Sequence, residues 1–130
     1  MIGIVIVAHG GLAREYLLAM EHVVGVQGGV RTVAIHEGHD RSTKEREICR
    51  AADEVDTGDG VVIVTDIFGA SPSNLALTAC QPTNRRILYG MNLPMLLKLA
   101  KCRGMAVPDA ARLAIEAGRK YIDTHNFSGN

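Results

Sequence analysis

Four apolar segments rich in valine and isoleucine predict the strands of the fold. They cover residues 2–8, 30–35, 61–65 and 86–89, and the turn pair Asp59-Gly60 precedes the third. Runs that are apolar at successive positions, rather than at alternate ones, are typical of strands buried on both faces. The pattern therefore predicts a sheet that is covered on both sides.

The segments between the strands have the features of helices. Apolar residues recur at helical spacing over residues 12–24. Ser42, with Glu45 three residues later, predicts a capping box that starts a helix over residues 42–55. Proline in the first turn predicts three further helices, which begin at Ser71-Pro72, at Asn92-Leu93-Pro94 and at Pro108.

Because strands alternate with helices, we predict an α/β fold with an open, mainly parallel four-stranded sheet flanked by helices. The 130 residues contain no internal repeat or linker, so we expect a single domain over residues 1–130. The C-terminal segment leaves two structures open. Either the last helix continues past Gly118, or it ends there and residues 120–124 form a short antiparallel fifth strand.

Composition excludes several classes of function. Fourteen Lys and Arg balance fourteen Asp and Glu, which argues against binding nucleic acid or an anionic membrane through a basic face. Aromatic residues make up 4% of the chain and tryptophan is absent, so a platform that stacks bases is not expected.

The sequence also predicts a cytoplasmic location without direct membrane insertion. No apolar run approaches the roughly 20 residues of a membrane helix, and the N-terminal run lacks the basic leader of a signal peptide. Cys49, Cys80 and Cys102 are odd in number and widely spaced. They are expected to be reduced thiols rather than a disulfide framework.

Polar and titratable residues collect where the predicted strands end. His9 follows the first strand and Asp66 follows the third. In an open α/β sheet, sites form beyond the carboxyl ends of the strands. If these two strands are neighbours, the Asp66 carboxylate can fix the tautomer of His9 and leave the other ring nitrogen free as a nucleophile. A hydrogen-bonded strand-end histidine and a turn aspartate are the structural alternatives.

The segment from Gly69 to Asn74 predicts an anion site next to this histidine. Backbone N–H groups at a helix start favour negative charge, and Ser71 and Ser73 add hydroxyl donors. The turn at Gly10-Gly11 opens a second helix start beside His9, so Gly10 is a further phosphate-binding candidate. A phosphate on His9 is the chemistry that this pattern indicates. The Gly-Lys-Ser/Thr phosphate loop of nucleotide triphosphatases is absent.

A metal site is a separate possibility. His36 and His39 follow the second strand and, with His9 and Asp66, offer imidazole and carboxylate ligands. Their spacing is equally typical of histidines in a surface loop, so we predict no resident metal or cofactor. A metal-dependent hydrolase is kept as a third hypothesis.

These motifs resemble the enzyme IIA component of the mannose family of the bacterial phosphoenolpyruvate-dependent sugar phosphotransferase system. The resemblance covers essentially the whole chain, in order. Its motifs are residues 4–10, which end in Ala-His9-Gly10, the long and specific segment from Thr65 to Asn74, and residues 90–96.

The resemblance implies a strand order of 2-1-3-4. It also implies that His9 accepts a phosphoryl group on Nε2 from the carrier protein HPr. Asp66 would hydrogen-bond Nδ1, and Ser71 with nearby backbone amides would hold the phosphate. The acceptor would be a IIB component, expected as a separate chain because no IIB domain follows before Asn130. Homodimers, some with an exchanged C-terminal strand, are usual in the family.

Two other functions remain open within this reasoning. The chain resembles, less closely, the phosphotransferase subunit of dihydroxyacetone kinase, which has a different acceptor. It is also consistent with a regulatory binding module that responds to the phosphorylation state of His9. The loop from His36 to Asp40 lies outside the family motif, and the sugar is not encoded in this domain.

Overall fold

A computed structural model describes residues 1–67, 71–80 and 84–128, and of residues 71–73 and 78 it describes the backbone alone. Its centre is a sheet of four parallel strands in the order β2-β1-β3-β4. The strands are β1 (Gly3–His9), β2 (Val30–Ile35), β3 (Val61–Thr65) and β4 (Arg85–Leu88). The predicted fold class and strand order are thus confirmed.

Helices cover both faces of the sheet. They are α1 (Leu12–Val24), α2 (Arg41–Val55), α3 (Ser71–Ala76), α4 (Leu93–Lys101) and α5 (Val107–Lys120), with a 3-10 turn, Leu77–Cys80, after α3. Residues of α1, α4 and α5 join one apolar cluster, and residues of α2 and α3 join the other. Across the described ranges, no helix is long and apolar enough to cross a membrane.

The central strands explain why the apolar runs are continuous. Ile4 and Ile6 of β1 pack into the first cluster, whereas Val5 and Val7 pack into the second, and all four are fully buried. Because successive side chains of a strand point to opposite faces, a strand between two helical layers needs apolar residues at every position.

The C-terminal alternative is settled in favour of the helix. Helix α5 continues through Gly118 to Lys120, and residues 121–128 form no strand. Gly118 is buried, and a Cβ there would lie 3.2 Å from Met95 Cβ and 3.3 Å from Asn92 Oδ1. Its carbonyl accepts a 2.7 Å hydrogen bond from Asn92 Nδ2. The glycine therefore serves close packing of α5 on α4 rather than helix termination.

The predicted cap of the second helix is wrong. Helix α2 begins at Arg41, and the N-cap is Asp40, whose carboxylate accepts a 3.0 Å hydrogen bond from the backbone N–H of Thr43. Ser42 lies inside the first turn, so Ser42 and Glu45 do not form the predicted capping box. Asp and Ser are similarly good N-caps, and the two candidates stand only two residues apart.

Arg103 is a buried cation that ties the start of the chain to a distant loop. Its Nε donates to the Ile2 carbonyl at 2.8 Å, and its Nη atoms donate to the carbonyls of Gly28 (2.7 Å) and Gly29 (3.0 Å). A Cβ on Gly29 would lie 2.7 Å from Arg103 Nη2, and Gly29 has a φ of +68°. This clamp fixes the ends of β1 and β2 that lie opposite His9.

We expect Arg103→Met to lower the free energy of unfolding by about 2–4 kcal/mol, because it removes the guanidinium that donates to the carbonyls of Ile2, Gly28 and Gly29. Urea denaturation measures the change. Arg86→Met, at an exposed position of β4, is the matched control and should change stability by less than about 0.5 kcal/mol. Equal effects of the two substitutions would contradict the clamp.

Candidate functional site

The pairing of β1 with β3 brings His9 and Asp66 together. His9 is the last residue of β1, and Asp66 directly follows β3. Asp66 Oδ2 lies 2.9 Å from His9 Nδ1 and also accepts a 3.1 Å hydrogen bond from the His9 backbone N–H. Two contacts to one carboxylate oxygen fix both the backbone and the ring of His9.

The geometry assigns different roles to the two ring nitrogens. With the proton of Nδ1 donated to the carboxylate, Nε2 keeps its lone pair. The side chain of His9 is 47% exposed, whereas that of Asp66 is only 12% exposed. A half-exposed imidazole that is oriented by a nearly buried carboxylate is the arrangement expected of a nucleophile that meets its reactant at the surface.

The charge of Asp66 is maintained despite its burial. Burial raises the pKa of this carboxyl, but the hydrogen bonds from the ring and the backbone of His9 outweigh it, and the pKa stays below its ordinary value. The other oxygen, Oδ1, is buried without a hydrogen-bond partner among the described residues. Asp66 is therefore a carboxylate whose main partner is His9.

Gly10 directs the chain from β1 into α1. Its φ of +54° is left-handed, a conformation that favours glycine, and its N–H donates to the Ile35 carbonyl at 2.9 Å. This hydrogen bond fixes the turn beside His9, and the predicted contact of Gly10 with a phosphate stays a prediction. No side chain of the described residues caps the first turn of α1, which starts just beyond His9.

Part of the predicted anion site lies outside the described residues. Gly69 is in the gap after residue 67, and the side chains of Ser71 and Ser73 are not described. The backbone of α3 begins at Ser71, five residues after Asp66, so a helix starts where the sequence placed one. The phosphate-binding roles of these three residues stay predictions.

The ring of His39 contacts the backbone of its own loop, and the side chain of His36 is exposed. His39 Nδ1 lies 2.5 Å from the His36 carbonyl oxygen, and Asp40 caps α2. In the three described ranges, no group of three or more His, Cys, Asp and Glu side chains is arranged to hold a metal ion. The structure therefore does not join these two histidines with His9 and Asp66 into a metal site.

Sequence reasoning missed two features at this end of the sheet. Two apolar side chains at this end of the sheet are about half exposed. Leu12 follows the glycine turn after His9, and Ile67 directly follows Asp66. Thr65 is fully buried; its carbonyl accepts a 3.0 Å hydrogen bond from the Met91 N–H, which ties the ends of β3 and β4 together. The sequence did hold a sign of this role, since Thr65 is the one residue with a hydroxyl group in the apolar run 61–65.

Comparisons with known proteins agree with this architecture. Residues 3–115 match the family described as PTS system fructose IIA component, or EIIA-man. The Escherichia coli (strain K12) protein YadI, whose name assigns it as a phosphotransferase enzyme IIA component, is 34% identical over 104 residues, which cover 79% of this chain and 71% of YadI.

A longer relative and a solved structure extend the match. The PTS system mannose-specific EIIAB component of Escherichia coli (strain K12) is 29% identical over 124 residues, 93% of this chain but 38% of that protein. The crystal structure of phosphotransferase system component EIIA from Streptococcus agalactiae superimposes with a TM-score of 0.85 at 25% identity, covering 95% of this chain and 97% of that one. The chain therefore belongs to the mannose-type enzyme IIA family of the phosphotransferase system.

Proposed function

We propose that this chain carries a phosphoryl group on Nε2 of His9, which it accepts from phosphohistidine on HPr and passes to a IIB component. The observation that carries the proposal is the 2.9 Å contact between His9 Nδ1 and Asp66, which leaves Nε2 as the nucleophilic nitrogen of a half-exposed ring. Family membership supports a phosphocarrier role in the sugar phosphotransferase system.

The transfer step balances without an added reactant. The lone pair of Nε2 attacks phosphorus, the phosphorus–nitrogen bond of the donor histidine breaks, and the donor imidazole keeps that electron pair. The Nδ1 proton of His9 stays in place, and the positive charge that develops on the ring is compensated by Asp66. Because donor and acceptor are both imidazoles, the step is nearly isoenergetic and needs mainly in-line positioning.

We expect the starts of helices α1 and α3 to stabilise the negative charge of the phosphoryl group. Helix α1 begins just beyond His9 with no side-chain cap among the described residues, and helix dipoles favour anions at such ends. We assign phosphate contacts to Gly10, Gly69, Ser71 and Ser73. The resemblance implies the role of Ser71 and nearby backbone amides, and the pattern of helix starts and hydroxyl groups adds the others.

We expect His9→Ala to abolish phosphorylation, because it removes the accepting nitrogen. The chain is incubated with phosphoenolpyruvate, enzyme I and HPr, and its intact mass is recorded before and after acid treatment. The wild type should gain one acid-labile phosphoryl group. His36→Ala, which changes an exposed histidine of the neighbouring loop, is the matched control and should behave as the wild type. Phosphorylation of His9→Ala would refute the proposal.

We expect Asp66→Asn to slow transfer about a hundredfold, since it removes the charge that stabilises the developing imidazolium. Rapid-quench measurement of phosphoryl gain from phospho-HPr tests this. Asp123→Asn, in the exposed C-terminal segment, should leave the rate unchanged. A wild-type rate for Asp66→Asn would mean that Asp66 has no part in the chemistry.

The same variant has a second readout in stability. Because the folded pKa of Asp66 is lowered, its ionised form stabilises the fold above the unfolded pKa of about 4, and this contribution is lost as pH falls through the folded value. The stability difference between wild type and Asp66→Asn should therefore shrink as the pH is lowered from about 5 through 3. A difference that is constant with pH contradicts this assignment.

We also propose that the chain pairs with a second copy beside β4, an outer strand of the described sheet. A groove of about 430 Å³ next to this strand is lined by residues that include Ile87, Ile115 and Ile122. Ile122 is 73% exposed, and a second copy on this groove would remove it from water.

Light scattering with size-exclusion chromatography should give the mass of a dimer for the wild type and of a monomer for Ile122→Asp. Val26→Asp, at an apolar position that is 90% exposed and precedes β2 in the chain, serves as the control and should stay dimeric. A wild type that is monomeric at micromolar concentration would overturn the pairing.

A further inference from the structure

We propose that the outer face of the α4–α5 hairpin docks a protein segment in which apolar side chains alternate with carboxylates. The proposed site, called the α4–α5 groove below, has a volume of about 440 Å³ and is lined by Pro94, Leu97, Lys98, Lys101, Ala117 and Tyr121. It is distinct from the His9–Asp66 site and does not depend on the phosphocarrier proposal.

The floor of the groove is apolar. Pro94, Leu97 and Ala117 are half-buried, so each presents part of its surface to the groove. Tyr121 stands exposed at one wall, with the ammonium of Lys120 5.5 Å from the centre of its ring. A concave apolar floor accepts an inserted side chain, in the way that protein interfaces seat an anchor residue.

The rim concentrates the lysines of the chain. The sequence has four lysines, Lys44, Lys98, Lys101 and Lys120. Two of them line the groove, and Lys98 also lines an adjoining hollow of about 250 Å³ together with Lys120. Among the described residues, the ammonium groups of Lys98, Lys101 and Lys120 pair with no carboxylate, whereas Lys44 pairs with Glu47. The nearby Glu116 pairs with Arg112 at 3.4 Å.

The antiparallel hairpin spreads these charges along the groove. Asn92, which caps the start of α4, bonds to Gly118 near the end of α5, so the helices run in opposite directions. Lys101 ends α4 and Lys120 ends α5, which places positive charge at both ends of the helical hairpin. Cations at helix C-termini also complement the helix dipoles. The dipoles alone account for the lysines but not for the apolar groove beside them.

The shape favours a protein segment over a lipid surface. A bilayer presents a broad plane of headgroups, and the chain has no net charge to hold it there. A segment that inserts apolar side chains between the lysines and pairs its carboxylates with them matches both features of the groove. One end of the groove is at Pro94, in the first turn of α4, which follows the carboxyl end of β4.

The test uses nuclear magnetic resonance of the ¹⁵N-labelled full chain. The probe is a short capped peptide that alternates leucine and glutamate, and its counterpart alternates leucine and lysine. We expect the acidic peptide to shift amide signals of residues 94–101 and 117–121. The charge-reversed variant Lys98→Glu/Lys101→Glu should weaken its binding about tenfold or more.

Controls separate charge from fold and from lipid. Lys44→Glu reverses the lysine on helix α2, which lines neither the groove nor the adjoining hollow, and should leave binding unchanged. The proposal is overturned by absent shifts at millimolar acidic peptide, by equal shifts with the basic peptide, or by equal loss in Lys44→Glu. It is also overturned if the chain sediments with vesicles of one part phosphatidylglycerol to two parts phosphatidylcholine while the peptide has no effect.

Discussion

The parallel pairing of β1 with β3 is the constraint on which the site depends. It aligns Val7 with Thr65. His9, two residues after Val7, and Asp66, one residue after Thr65, therefore lie together at the carboxyl ends of the two strands. Each strand is anchored by side chains buried on both faces. The contact between imidazole and carboxylate is therefore imposed by the core rather than by a flexible loop, and the apolar layers stabilise its geometry.

This placement divides the chemistry between two elements. The carboxylate is nearly buried and keeps its charge because His9 donates to it twice. The imidazole is half exposed, so a partner can reach Nε2 without the domain opening. A carrier that exchanges phosphoryl groups with other proteins needs an accessible nucleophile on a rigid base, and a strand end followed by a glycine turn provides both.

Local sequence patterns were enough for the sheet and most helices, because continuous apolar runs and prolines in first turns act over a few residues. Local patterns were insufficient where contacts with residues distant in the sequence determine the structure. Gly118 lies within a helix because it packs against Met95 and Asn92, and Arg103 is buried because it binds carbonyls about 75 to 101 residues away. The N-cap of α2 could not be predicted because Asp40 and Ser42 have equally suitable side chains. The contact of His9 with Asp66 required the strand order, which came from the family resemblance and not from periodicity.

The position of the phosphoryl group tests the account most directly. The chain, labelled with ¹⁵N at its histidines, is phosphorylated by phosphoenolpyruvate, enzyme I and HPr, and its imidazole signals are recorded by nuclear magnetic resonance. The account predicts phosphorus on Nε2 of His9 and a proton retained on Nδ1, facing Asp66. Phosphorus on Nδ1, or on another histidine, would contradict it.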